Sequence, residues 1–311
     1  MTPVELPEVL GLPADAVVTA GPRGALGRIW RVQAGADTYA VKELFGTPPS
    51  PATIEAELAF TRAAARAGVA VPASYPGTDG NYVHRMPEGS WLRRLDWFDL
   101  RPIDPVDPAA LGRLLAGLHR EAPAARAEPD GDEPDPWYDT PPPLTGWPEI
   151  RRTGWDARLR TLPELCAMVS PPDLATTRLC HRDLHPENVL AGPDGELVVV
   201  DLDQVGPAEP VRELTRYLFD WFCDGPADVD AMRMFHEAYI EAGGPARLTR
   251  PGDFTMLVAS RLNFLRRQVR IAADPDTEPQ HREWAEAEID EAVRILPTPA
   301  QIEQVLQLVS R

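Results

Sequence analysis

The segment from His181 to Asp203 constrains this chain more than any other. It opens with His181-Arg182-Asp183-Leu184-His185-Pro186-Glu187-Asn188. It then passes through two short β-type runs, Val189-Leu190 and Glu196–Val200, and ends in VVVDLD (198–203). Asp194-Gly195 between those runs is a hairpin signal. If these two residues form the loop, residue 193 faces 196 and, by the same register, Asn188 faces Asp201. A longer loop imposed by Pro193 keeps that pairing if it is symmetric. An amide and a carboxylate about 5 Å apart across a strand pair suit one hard cation.

The octapeptide fits H-R-D-L-x-x-x-N, a loop built for phosphoryl transfer. That chemistry needs a carboxylate beside the attacking hydroxyl, to orient it and take its proton. It also needs neutral and anionic oxygens that hold Mg²⁺ on the phosphates. Asp183 suits the first role, and Asn188 and Asp201 the second. Lys42 is the one lysine in the chain. Every other basic residue is arginine, so a position that keeps Lys needs a compact ammonium on a flexible stem. It lies in Ala40-Val41-Lys42, on a strand that matches V-A-I-K, where the Lys bridges nucleotide phosphates and a following helix supplies a Glu. Glu57 is the first choice for that partner and Glu55 the second. Gly21, Gly24 and Gly27 lie between the first two strands, where a phosphate-covering loop belongs.

The order of elements supports two lobes. Residues 16–20, 28–32 and 38–45 read as strands, and 53–67 as a helix closed by Gly68. NYVHRM (81–86) reads as a strand and PEG (87–89) as a turn. Beyond it the pattern is helical: 107–120 starts at Asp-Pro, and 209–222 is a second clear helix. Only the two short strands near 189–200 interrupt it. A β-rich lobe over 1–86 and a helical lobe over 87–311 follow, with room for a nucleotide between them. Residues 121–148, acidic and Pro-rich with Trp137, Tyr138 and Trp147, read as an insertion or ordered loop rather than a core element.

Composition narrows the setting. The formal net charge is −17. That field disfavours nucleic acid and anionic membrane and favours cationic ligands, although solubility alone also explains it. No apolar run is long enough for a membrane span, and the N-terminus lacks a signal-peptide pattern. Three cysteines without C-x-x-C suit a reducing cytoplasm. No obligatory protein partner is indicated.

HRDLHPENVL (181–190) and VVVDLD (198–203), with the softer LGRLLAGLH (111–119) and AGVAVP (67–72), resemble the aminoglycoside phosphotransferase or choline-kinase-like family, in its antibiotic-kinase branch. The resemblance spans roughly residues 15–300. It implies an α+β, bilobal, protein-kinase-like fold. It also implies a catalytic base at Asp183, metal ligands at Asn188 and Asp201, and a Lys42–Glu57 nucleotide pair. The hinge would map near His84–Met86, with Arg85 and Met86 at the nucleotide. Two departures stand out. The family usually has Gly where this chain has Arg182, and an Asp-Leu-Ala where this chain has VRELTRYL (211–218), with Glu213 as its acid.

The expected activity is Mg²⁺-dependent transfer from ATP or GTP to a hydroxyl of a small molecule. An aminoglycoside or other sugar-containing antibiotic comes first, and an amino alcohol, sugar or nucleoside second. Asp203, Asp224 and Arg267 are the candidate substrate contacts; Glu209 and Asp220 could join the acids, and Arg266 and Arg270 the cations. A protein substrate fits poorly, because a helix follows Asp201 with little room for a peptide-docking segment. Two other classes compete. His181-x-Asp183-x-His185 superficially resembles a hydrolase metal cluster but lacks further ligands in any motif. A pseudokinase has no reason to keep Lys42, Asp183, Asn188 and Asp201 together. His181 reads as a loop-orienting residue and His119 as part of an apolar helix face.

Overall fold

A computed structural model describes residues 8–23, 27–125, 137 and 155–309, with the side chains of Trp155, Asp156 and Leu159 not described. The chain divides into two compact units. The first comprises residues 1–104 and 187–205, the second 105–186 and 206–311.

The first unit is built on an antiparallel sheet. Its strands are β1 (Val17–Arg23), β2 (Gly27–Ala34), β3 (Asp37–Leu44), β4 (Ser74–Tyr75), β5 (His84–Arg85) and β6 (Trp91–Asp96). The order is β1-β2-β3-β6-β4, with β5 also on β6. Alternation in β2 and β3 sends Trp30, Val32 and Val41 to one face, where Leu10, Leu12, Met86 and Leu92 complete a core. Each such side chain contributes roughly 1.5–3 kcal/mol through burial. Helix α1 (Pro51–Ala67) follows β3. Ser50 caps it by accepting the Thr53 N–H, Pro51 opens its first turn, and Gly68 closes it at φ 72°.

Strand β6 departs from the sequence expectation, which placed only helical pattern beyond residue 89. Leu92 is buried on one side of the strand, and Arg93, only 1% exposed, on the other. The PEG segment is therefore a turn within the sheet. The Met86 N–H donates to the Ser90 carbonyl, and the Gly89 N–H donates to Met86.

The first unit also contains the hairpin β8 (Val189–Ala191) and β9 (Leu197–Val199). Bridges Ala70–Val198 and Arg101–Ala191 tie it to the rest of that unit. Its register is one residue off the expected one: Val189 faces Val199, and the Val200 N–H donates to the Asn188 carbonyl. The cause is an odd loop. Gly192 pairs with Glu196 across Pro193-Asp194-Gly195, and Gly195 takes φ 83°. Pro suits the second position of such a turn and Gly its left-handed position.

The second unit is mainly helical. Its helices are α2 (Pro108–Glu121), α3 (Trp155–Met168), α4 (Pro210–Phe222), α5 (Val229–Glu241), α6 (Thr255–Ala273), α7 (Pro279–Ile295) and α8 (Pro299–Val309). Asp107 caps α2, as its Asp-Pro start suggested. A two-stranded pair, β7 (Arg178–Cys180) with β10 (Gly206–Ala208), was not expected. Helix α4 is buried on nearly every side, with Leu214, Tyr217, Leu218 and Phe219 in the core. Tyr217 stacks on Phe235 of α5 at 5.2 Å between ring centroids. Trp137, inside the expected insertion, is buried and donates to the Ala259 carbonyl. The rest of that insertion beyond Ala125, including Tyr138 and Trp147, lies outside the described residues. Among the described residues no helix is long and apolar enough to cross a membrane.

Candidate active site

The first unit assembles one set of charges. Lys42 on β3 directly faces Arg93 on β6. Two cations side by side repel, so anions must sit among them. Three do. Glu57 of α1 takes Arg93 through both guanidinium nitrogens, one of them at 3.1 Å. Asp201 Oδ1 and Asp203 Oδ2 accept from Lys42 Nζ at 2.8 and 2.6 Å. Asp203 Oδ1 also lies 3.9 Å from Arg93.

This corrects the expected Lys42–Glu57 pair. Glu57 engages the bidentate fork of Arg93, which matches a carboxylate better than a point-like ammonium does. Burial pushes Glu57 upward against the pull of Arg93. Burial opposes charge on Lys42 too, but Asp203 and Asp201 together outweigh it and raise its pKa. Arg93 was not legible as a site residue. The one signal was a double Arg in WLRRLD flanked by strand formers.

Asp201 reaches this position through its backbone. It sits just past the ladder at φ 58°, a left-handed conformation uncommon for a residue other than Gly. A 3-10 turn, Leu202–Gln204, follows at once and carries Asp203. Asn188, buried, is the residue just before β8 on the same hairpin. The donors here are two carboxylates converging on a positive charge and a nearby amide. Oxygen donors of this kind suit a hard divalent ion such as Mg²⁺.

The remaining nucleotide candidates are placed differently. Gly24 lies outside the described residues. Gly27 has a structural need: a Cβ there would sit 2.4 Å from the Glu43 carbonyl across the ladder. Arg85 is exposed over the Trp91 ring, and Met86 is in the core with its backbone N–H and carbonyl used in the β5–β6 turn. A hinge at His84–Met86 is thereby corrected. Those residues sit inside the sheet, because PEG makes a hairpin turn and not an exit from the lobe.

The second unit holds the loop around Asp183. His181 is fully buried, and its Nδ1 accepts the Asp183 N–H at 3.3 Å, the orienting role expected of it. Arg182 stands at φ 71°. Gly adopts such a left-handed position without steric cost, whereas a residue with a Cβ does not. Arg182→Gly is therefore expected to fold normally, with stability within about 1 kcal/mol of the parent. Arg182→Val should melt lower than the Gly variant by roughly 1–2 kcal/mol. Thermal denaturation of the two side by side checks this.

Helix α4 supports the loop with charged side chains. Glu213 accepts the Arg182 N–H and hydrogen-bonds His119 Nε2 at 2.8 Å. The other His119 nitrogen meets the Tyr239 hydroxyl at 2.9 Å. Burial alone would raise Glu213, but the His119 hydrogen bond and charge, with the Arg182 N–H, bring its pKa below the usual carboxylate value. Cys180 lies beside them, its thiol pushed well up by burial and by the Glu213 charge. Arg216 donates to Asp183 Oδ1 at 2.5 Å, and His185 Nε2 lies 3.7 Å from Asp183 Oδ2.

The candidate substrate contacts each have protein partners. Asp203 belongs to the Lys42 cluster. Asp224 is exposed and pairs with Arg294 of α7. Arg267 is exposed over Phe264. Asp220 is taken by Arg216 and Arg261, whereas Arg266 lies over Trp137.

The sequence profile of the phosphotransferase enzyme family matches residues 17–250. The chain belongs to that family and is a small-molecule phosphotransferase. An uncharacterized protein of Deinococcus radiodurans is 28% identical over 252 residues, 76% of this chain and 72% of that one. Among solved structures, a microcompartment-associated aminopropanol kinase superposes with a TM-score of 0.65 at 15% identity, covering 96% of this chain and 95% of that one. A spectinomycin phosphotransferase gives 0.63 at 14% identity over 93% of each chain. An amicoumacin kinase gives 0.60 at 17%, over 93% of this chain and 91% of that one. These similarities establish the protein-kinase-like α+β fold.

Proposed function

We propose that this protein transfers the γ-phosphoryl group of ATP or GTP to a hydroxyl of a small molecule. The observation that carries the reading is the convergence of Asp201 and Asp203 on the chain's one lysine, on the hairpin that begins at Asn188. Asp183 stands five residues before Asn188 on the chain.

Asp183 orients the acceptor hydroxyl and takes its proton. The acceptor oxygen bonds to the γ-phosphorus as the bond to the β–γ bridging oxygen breaks, and the nucleoside diphosphate leaves. Lys42 neutralises phosphate charge, with Asp201 and Asp203 fixing its ammonium. Asn188 and Asp201 would hold Mg²⁺, which supplies charge neutralisation on the phosphates. Little covalent work remains, so positioning and electrostatics carry the rate.

We place an antibiotic first among acceptors. The spectinomycin and amicoumacin enzymes bear names of this kind, the former in complex with ADP and spectinomycin. The net charge of −17 suits an amine-bearing natural product. The aminopropanol kinase supports an amino alcohol as the second reading. Either acceptor suits an enzyme of the cytoplasm, where nucleoside triphosphate is available.

A mass-spectrometric screen tests this. The protein, Mg²⁺ and ATP or GTP are incubated with aminoglycosides, peptide and nucleoside antibiotics, sugars and amino alcohols. A phosphate-sized mass gain on one compound, absent with Asp183→Asn, is the expected result. Failure to bind either nucleotide would overturn the reading.

A further inference from the structure

We infer that Arg216 is the positioning residue for Asp183, and that Asp220 and Arg261 hold Arg216 in place. The inference rests on the phosphotransfer reading and assigns a role within the same site.

Arg216 lies on α4, and each of its three guanidinium nitrogens has its own acceptor. Nη2 donates to Asp183 Oδ1 at 2.5 Å, Nη1 to the Arg182 carbonyl, and Nε to Asp220 Oδ2 at 3.3 Å. A planar group with three separate acceptors has one orientation, and an ammonium cannot reproduce it. Asp220 is itself locked. Its side chain is 5% exposed, and its other oxygen is taken by Arg261 of α6. The order is therefore Arg261, Asp220, Arg216, Asp183, with opposite charges in contact at every step.

One helical turn before Arg216, Glu213 holds the N–H of the same residue whose carbonyl Arg216 holds. Residues three apart on a helix share a face. Helix α4 thus grips Arg182 by both backbone groups, at φ 71°. That grip sets where the chain leaves Arg182, and the Nη2 contact sets how the next carboxylate turns. Burial opposes charge on Arg216, but Asp220 and Asp183 more than restore it and raise its pKa. The guanidinium is therefore a constant cation.

A group whose three nitrogens are each tied to a protein acceptor, one of them the Asp183 carboxylate, acts through Asp183. This separates Arg216 from an ordinary substrate-binding arginine and makes a distinctive kinetic pattern. Arg216→Met should lower kcat by roughly 10²-fold through a misplaced base, with the nucleotide KM nearly unchanged. Arg216→Lys should recover only part of the loss. In an Asp183→Asn background, Arg216→Met should cost almost nothing further, because its effect runs through that carboxylate.

The experiment measures this double-mutant cycle with MgATP and the acceptor found in the screen, or water where none is found. Melting temperature and nucleotide affinity report folding. Amide exchange of the 181–184 peptide is followed in parallel and should rise about tenfold in Arg216→Met as the loop's local opening becomes easier. If Arg216→Met does not fold, Arg216→Lys and Arg261→Met carry the same comparison. Turnover near wild type in the Arg216 variants, beside an inactive Asp183→Asn, would overturn the inference alone. So would costs that add in the double variant. Full turnover by Asp183→Asn itself would instead remove the assignment of Asp183 as the base on which the phosphotransfer mechanism is drawn. Amide exchange would then still decide the loop-holding contact, and unchanged exchange would end it.

Discussion

Asp183→Asn is expected to lower turnover by roughly 10²–10⁴-fold, the usual contribution of a positioned general base. The substitution is chosen for what it preserves. Asparagine has nearly the same shape, and its carbonyl oxygen can still accept from Arg216, which lies 2.5 Å from Asp183 Oδ1. The charge and the proton affinity are lost. Nucleotide affinity should stay within a factor of about three, because Lys42, Asp201 and Asp203 are untouched. Calorimetric titration with ATP, beside steady-state kinetics, separates the two. Undiminished turnover would show that another group takes the proton. Asp183→Ala is the poorer choice, since it also removes the acceptor of Arg216 Nη2.

Glu213→Ala should be the most destabilising single change among the residues discussed. The carboxylate is almost fully buried and joins His119 to the Arg182 N–H. Removing it strands both donors in the interior. Breaking a buried pair in this way costs roughly 3–5 kcal/mol, enough to lower the thermal midpoint on the order of 10 °C. Glu213→Gln keeps an acceptor and should lose less. The two should also differ from the parent in acid. The folded-state pKa of Glu213 lies below its unfolded value, so its charge adds stability above the ordinary carboxylate range. That stability fades as pH falls through the folded pKa. The Gln variant should therefore show a shallower loss of stability on acidification. Equal slopes would mean that Glu213 is not the group responsible.

The sequence made the chemistry more legible than the geometry. Asp183, Asn188, Asp201 and Lys42 stand out because their spacing has few other uses. The helices over 53–67, 107–120 and 209–222 were readable from caps and period, and they occur at Pro51–Ala67, Pro108–Glu121 and Pro210–Phe222. The pairing of β8 with β9 was misread by one residue, because a three-residue loop shifts every partner while leaving both strands intact. Strand β6 was hidden by its own charges. An inward arginine looks like surface until its partner Glu57, 36 residues away, is known. The same blindness concealed Arg216 and Arg261. Their meaning lies in contacts with residues 33 and 41 positions distant, and no local pattern encodes such a distance.

The lone lysine offers an analytical handle. Amine-directed reagents ordinarily scatter over a protein surface, and occupancy must be averaged across many adducts. Here, apart from the α-amino group, they have one target, and that target is mostly buried and clasped by two carboxylates. Its acylation is therefore a single-residue record of whether that ammonium is sheltered. A nucleotide that protects Lys42 would reveal itself as one missing mass increment, with no acceptor molecule or assay of turnover required.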